Sequence, residues 1–169
     1  MKLNCSSQKK SYPFKSVTHV YFTENNLDSR LEKEICSLKN HYPEAEISVI
    51  RKLKNITLFP ESYTIYGLKH KNWKFFDIKL LNFFSWSMRA FIALKMLRPS
   101  IVHAHGLRAL IVSVIFKRIF KCGLVFDARE LESERNHHGF LKNFFLSFIE
   151  RNLIPACDSI LVVSPSIKK

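Results

Sequence analysis

Two histidines one residue apart, His103 and His105, close the apolar run SIVHAH and are followed at once by Gly106. On a strand, positions i and i+2 face the same side, so both imidazoles lie on one surface. Three chemistries fit such a pair. Two same-facing imidazoles bind zinc if a third donor comes from another strand, with Asp127 or Glu130 as the candidate acids. A strand end with one packed and one hydrogen-bonded histidine needs no ligand. A substrate-facing His105 is the third. No convincing third ligand stands out, so metal is the weakest of the three, and the expectation is no metal and no cofactor.

A second group follows the apolar run GLVFDA. DARELESERN, 127–136, holds four acids and two arginines. Asp127 falls at the tip of the run, where a general base is placed. Glu130, Glu132 and Glu134 equally suit the solvated first turn of a helix, where acids are favoured.

A third group is basic and aromatic. Residues 51–80 hold seven Lys and Arg against two acids, and Trp73, Phe75 and Phe76 sit among Lys69, Lys71, Lys74 and Lys79. Aromatics at the interface with lysines over headgroups suit an anionic membrane surface. Stacking plus charge would also suit single-stranded nucleic acid, the weaker fit. A basic loop over a core helix accounts for the same residues without any ligand.

The elements that must position these groups alternate. VTHVYF (17–22), EISVIRKL (46–53), SIVHAH (100–105), GLVFDA (123–128) and SILVVS (159–164) read as buried strands, with shorter candidates in NITLF and YTIYGL. Leu31, Ile35 and Leu38 recur at helical spacing, with Asn26 or Asp28 as cap and Pro43 as stop. Helices are also expected over 78–97, stopped by Pro99, over 106–120, and over 139–154, where Phe140, Phe144 and Phe148 recur. Continuous apolar strands alternating with helices predict an α/β fold: a Rossmann-like open parallel sheet with helices on both faces, in one domain. Residues 1–16 form a basic lead-in and 17–169 the domain. In such sheets chemistry gathers at the carboxyl ends of the strands, here 23–26, 103–106, 127–134 and Ser164.

The totals narrow the classes. A chain of 169 residues supports one domain with a substantial core. The net charge of +13 attracts phosphate, on lipid, nucleic acid or a nucleotide-bearing substrate. An AT-rich coding bias accounts for the same lysines without a ligand. The stretch after the first strand has no glycine, and no P-loop occurs, which excludes the usual dinucleotide and nucleotide fingerprints. Four scattered cysteines make no CxxC pair; Cys36 and Cys157 read as buried thiols in a reducing compartment. MKLNCSSQKKSYPF lacks the apolar core of a signal peptide. Lys79, Arg89 and Lys95 interrupt 78–97, which reads as buried or interfacial rather than spanning.

RPSIVHAHGLRAL, GLVFDARELESE and IERNLIPACDSILVVSPSI, in that order, resemble the N-terminal, acceptor-side domain of family-four retaining glycosyltransferases of the GT-B type. DSRLEKEICSL, 28–38, resembles the Asp-x-Arg start of that family's first helix. The resemblance covers 98–167 and 17–50 and fades across 54–97. It implies one half of a GT-B fold, with Asp127 at the catalytic position and His105, Gly106, Arg129 and Glu130 along the acceptor cleft. Gly106 stands where relatives carry an aspartate. The resemblance further implies a nucleotide-sugar donor, a glycan or lipid-linked acceptor, and a cytoplasmic protein at the inner face of the membrane. It leaves polysaccharide, lipopolysaccharide and glycolipid assembly open. Nothing here matches the family's donor-binding Glu-x7-Glu element. Sugar transfer is therefore expected only with a separately encoded donor-domain partner, and self-association is the other expectation. The alternative is a non-catalytic basic module binding anionic membrane or nucleic acid.

Overall fold

The computed structural model describes residues 14–22, 29–53, 63–69, 79–128 and 140–162. Six strands form one sheet: β1 (Ser16–Tyr21), β2 (Glu46–Leu53), β3 (Thr64–Lys69), β4 (Ile101–His105), β5 (Gly123–Ala128) and β6 (Ser159–Val162). All are parallel, in the order β3-β2-β1-β4-β5-β6. Among the described residues four α-helices connect them, α1 (Ser29–His41), α2 (Lys79–Leu97), α3 (Leu107–Phe120) and α4 (Phe140–Leu153), with a 3-10 turn at Ile154–Ala156 before β6. The fold is the expected Rossmann-like α/β domain. The chain order reverses direction between β1 and β4, which is where such sheets open a crevice.

Alternation along each strand separates two faces. Val20, Ile50, Val102, Ala104, Leu124 and Phe126 point to one face and build the main core with α2, α3 and α4. Trp86, Ala90 and Leu94 are the buried stripe of α2, at the spacings of four that one helix face requires. Pro99 follows, and Arg98 ends the helix in a left-handed turn, its N–H donating to Leu94 O. On the other face α1 buries Leu31 and Ile35 against Ile47 and Val49. Each such buried aliphatic side chain contributes about 2 kcal/mol.

One expectation is corrected by the turn of α1. Cys36 is exposed, not buried. The inward stripe runs through Leu31, Ile35 and Leu38, and one residue on from Ile35 the helix has turned by about 100°. Cys157 is half-buried, packed against the main core. YTIYGL forms β3, one residue later than read; NITLF lies outside the described residues. Among the described residues no helix is long and apolar enough to cross a membrane.

β6 is held by Asp158. Leu124 N–H donates to Asp158 Oδ2 at 2.7 Å, Lys117 Nζ donates to Oδ1 at 2.6 Å, and Asp158 N–H returns a bond to Leu124 O. This clamp joins the end of α3, the start of β5 and the approach to β6.

Candidate functional site

The register places the chemistry. Tyr21, His105 and Asp127 lie side by side at the carboxyl ends of β1, β4 and β5. One row behind them lie His19, His103 and Val125. All six side chains share the face covered by α1. His19 and Asp127 are 0 % exposed, His105 2 % and His103 7 %.

Within this enclosure the polar groups form a chain. His105 Nδ1 lies 3.1 Å from Asp127 Oδ2, and His105 Nε2 lies 3.1 Å from His19 Nδ1. A carboxylate only accepts, so His105 donates from Nδ1; in the neutral tautomer that this selects, Nε2 is the acceptor and His19 donates from Nδ1. Arg30, from the first turn of α1, donates Nη2 to Asp127 Oδ1 and Nε to Glu34 Oε1, both at 3.3 Å. Glu34 Oε2 faces His103 Nδ1 at 4.0 Å. The ring centroids of His103 and His105 are 4.3 Å apart, and those of His19 and His103 4.9 Å. Burial, then the nearby His103 and His105, pushes the His19 pKa well below the ordinary histidine value, so its ring is neutral.

His105, read as cleft-facing, is enclosed between His19 and Asp127. His103 lines a groove of about 420 Å³ together with Glu34, Ser37, Leu38, Val125 and Leu161. The reason is the row each occupies: His105 is flanked by polar partners on both neighbouring strands. His103 looks instead toward the space between α1 and the β5–β6 side of the sheet.

Gly106 opens α3 with φ 80° and ψ 166°, a region that only glycine adopts without strain. A Cβ there would meet nothing within 4 Å, so backbone conformation rather than space selects glycine. Its N–H donates to Asp127 O at 3.4 Å, tying the β4–α3 turn to the tip of β5. Arg129, Glu130, Lys71, Trp73, Lys74, Phe75 and Phe76 lie outside the described residues, and Lys69 ends β3 at the sheet edge. A shallower hollow of about 660 Å³, lined by Lys117, Arg118, Lys121 and Asp158, lies at the amino ends of β5 and β6, at the other end of the strands from this site.

Sequence reading missed His19 and Glu34 and gave Arg30 no role. A lone histidine in VTHVYF carries no spacing signal, and Glu34 in LEKE looks like a solvated helix face. Only the pairing of β1 with β4, and the docking of α1 over it, brings them to His103 and His105.

No protein-family model and no curated protein matches the sequence. Solved structures do. The lipopolysaccharide outer core galactosyltransferase WaaB matches with a TM-score of 0.61 and 12% identity, over 90% of this chain and 40% of its own. Sucrose-phosphate synthase from Thermosynechococcus elongatus matches at 0.63 and 9% identity, over 91% and 43%. MurG of Acinetobacter baumannii matches at 0.55 and 10% identity, over 89% and 42%. The chain thus spans 40–43% of the length of these three proteins. At such identities the likeness is one of fold, and the fold is that of one half of a GT-B glycosyltransferase.

Proposed function

We propose that this chain is the acceptor-side half of a glycosyltransferase. It holds a glycan or lipid-linked acceptor at the carboxyl ends of its strands while a donor-binding half presents the nucleotide-sugar. The observation that carries the reading is Asp127, a buried carboxylate at the tip of β5, fixed by His105 and Arg30 beside the β1–β4 crevice where the strand order reverses. Asp127 is the catalytic carboxylate of this reading. Its Oδ1 accepts from Arg30 Nη2 at 3.3 Å. Arg30, 38% exposed, carries this contact from the solvent side of the site. Gly106 adds no side chain to the cleft wall, and Arg129 and Glu130 come two and three residues after Asp127 in the sequence. Binding of the full chain to a panel of soluble and lipid-linked oligosaccharides, read by saturation-transfer NMR, tests the reading. One acceptor class should bind, and Asp127→Asn and Gly106→Ala should weaken it. Binding that both variants leave unchanged overturns it.

A second reading is a basic module that docks on an anionic membrane without catalysis, and α2 favours it. Leu81, Phe84, Met88, Ile92 and Met96 are exposed along one face of that helix, opposite the buried Trp86, Ala90 and Leu94. Exposed Arg89 and Lys95 flank the stripe. The two readings are compatible if the acceptor is a lipid. Vesicle binding with no glycan binding of any class would leave only the second.

A further inference from the structure

We propose that His19, Glu34, His103 and His105 form a zinc site beneath the strand tips. One ligating atom from each lies within 4.8 Å of every other. Three imidazoles and one carboxylate are a zinc donor set, and nitrogen donors disfavour calcium and magnesium. Four protein donors close the coordination sphere, so the ion is structural and takes no part in sugar transfer.

The geometry is nearly set. His19 Nδ1 and His105 Nε2 are 3.1 Å apart, close to the edge of about 3.3 Å in a tetrahedron with Zn–N of 2.0–2.1 Å. An ion between them replaces the hydrogen bond they now share. Glu34, whose carboxylate is 23% exposed and whose Oε2 lies 4.0 Å from His103 Nδ1, has room to turn toward an ion held by the imidazoles.

The surroundings are those of a ligand shell. The other nitrogen of His105 is held by Asp127, the carboxylate–histidine arrangement that fixes a metal-binding ring. Arg30 spans Asp127 and Glu34 and orients both carboxylates. His19 Nε2 and Glu34 Oε2 have no hydrogen-bond partner among the described residues, an arrangement that burial makes costly and a metal relieves at Glu34. The groove lined by Glu34, Ser37 and His103 gives an ion a route in.

The test uses the full chain, stripped with a chelator and titrated with zinc against a chromophoric competitor, then with cobalt. The expected result is one equivalent of zinc at micromolar affinity or tighter. Cobalt should give the visible bands of a tetrahedral nitrogen and oxygen site, without the sulfur charge-transfer band that cysteine would add. Glu34→Gln should weaken zinc at least tenfold, and His19→Asn should abolish stoichiometric binding. Glu34 is partly exposed, so its variant folds and decides the matter even if His19→Asn does not. No stoichiometric zinc, a thiolate cobalt spectrum, or zinc affinity unchanged in Glu34→Gln overturns the proposal.

Discussion

His105 Nδ1 stands 3.1 Å from Asp127 Oδ2, with both side chains closed off from solvent. A buried N–H that loses its acceptor costs far more than an exposed one, because no water replaces it. Asp127→Ala should therefore lower stability by about 1–3 kcal/mol, from the stranded His105 N–H. Asp127→Asn, which keeps an acceptor oxygen, should cost less. Urea unfolding of the three proteins checks the order, and an equal loss in both variants would mean that charge rather than the hydrogen bond matters.

Gly106 makes a second, backbone-based prediction. Its φ of 80° with ψ of 166° suits no side chain, although a Cβ would find open space. Gly106→Ala should cost about 1–3 kcal/mol of strain, read as a drop in thermal midpoint. Gly106→Asp, which restores the aspartate of the resembled family, should be no more stable than Gly106→Ala. A variant as stable as the parent would show that the turn relaxes.

How much of this was written in the sequence differs by level. The strands are continuous apolar runs between clear breaks, so VTHVYF, EISVIRKL, SIVHAH and GLVFDA could be read locally. The parallel α/β class followed from their alternation with helices. Strand order could not be read that way. His19 meets His103 across 84 residues of chain only because β1 pairs with β4, and no local pattern encodes that pairing. Asp127 was legible because a strand tip is a local feature. Its partner Arg30 was visible only as part of a motif, since its reach across to β5 depends on how α1 docks. Cys36 was misread because apolar neighbours in sequence are not neighbours around a helix.

The thiols follow from the same geometry. Cys36 is exposed, whereas burial pushes the half-buried Cys157 thiol up to about 11. The thiolate is the reacting form, so raising the pKa slows alkylation. Iodoacetamide labelling near neutral pH, mapped by mass spectrometry, should modify Cys36 well before Cys157. The gap should narrow as pH rises toward 11. Equal rates at neutral pH would contradict the burial of Cys157.

The exposed stripe on α2 predicts an association that can be tuned without unfolding the chain. Met88 and Ile92 sit at its centre, away from the core. Met88→Gln with Ile92→Gln should leave the thermal midpoint nearly unchanged and reduce co-sedimentation with anionic vesicles several-fold. It should also reduce any concentration-dependent self-association in size-exclusion chromatography. Unchanged behaviour in both assays would remove α2 as the contact surface.

The clamp at Asp158 sets an acid limb on stability. Lys117 and the Leu124 N–H both favour its carboxylate, so its pKa lies below the ordinary aspartate value in the folded chain. Unfolding releases both partners and lets the group take a proton more readily. The stabilisation is therefore complete above the unfolded value, near pH 4, and is lost as pH falls through the folded one. The carboxylate is more than half exposed, so solvent screening limits the effect to about 1 kcal/mol. Asp158→Asn removes the titrating group but keeps an acceptor for Leu124. The stability difference between parent and variant should thus be constant from neutral pH down to about 5 and shrink below about 4. A difference that stays constant through pH 3 would place the clamp's contribution in its shape rather than its charge.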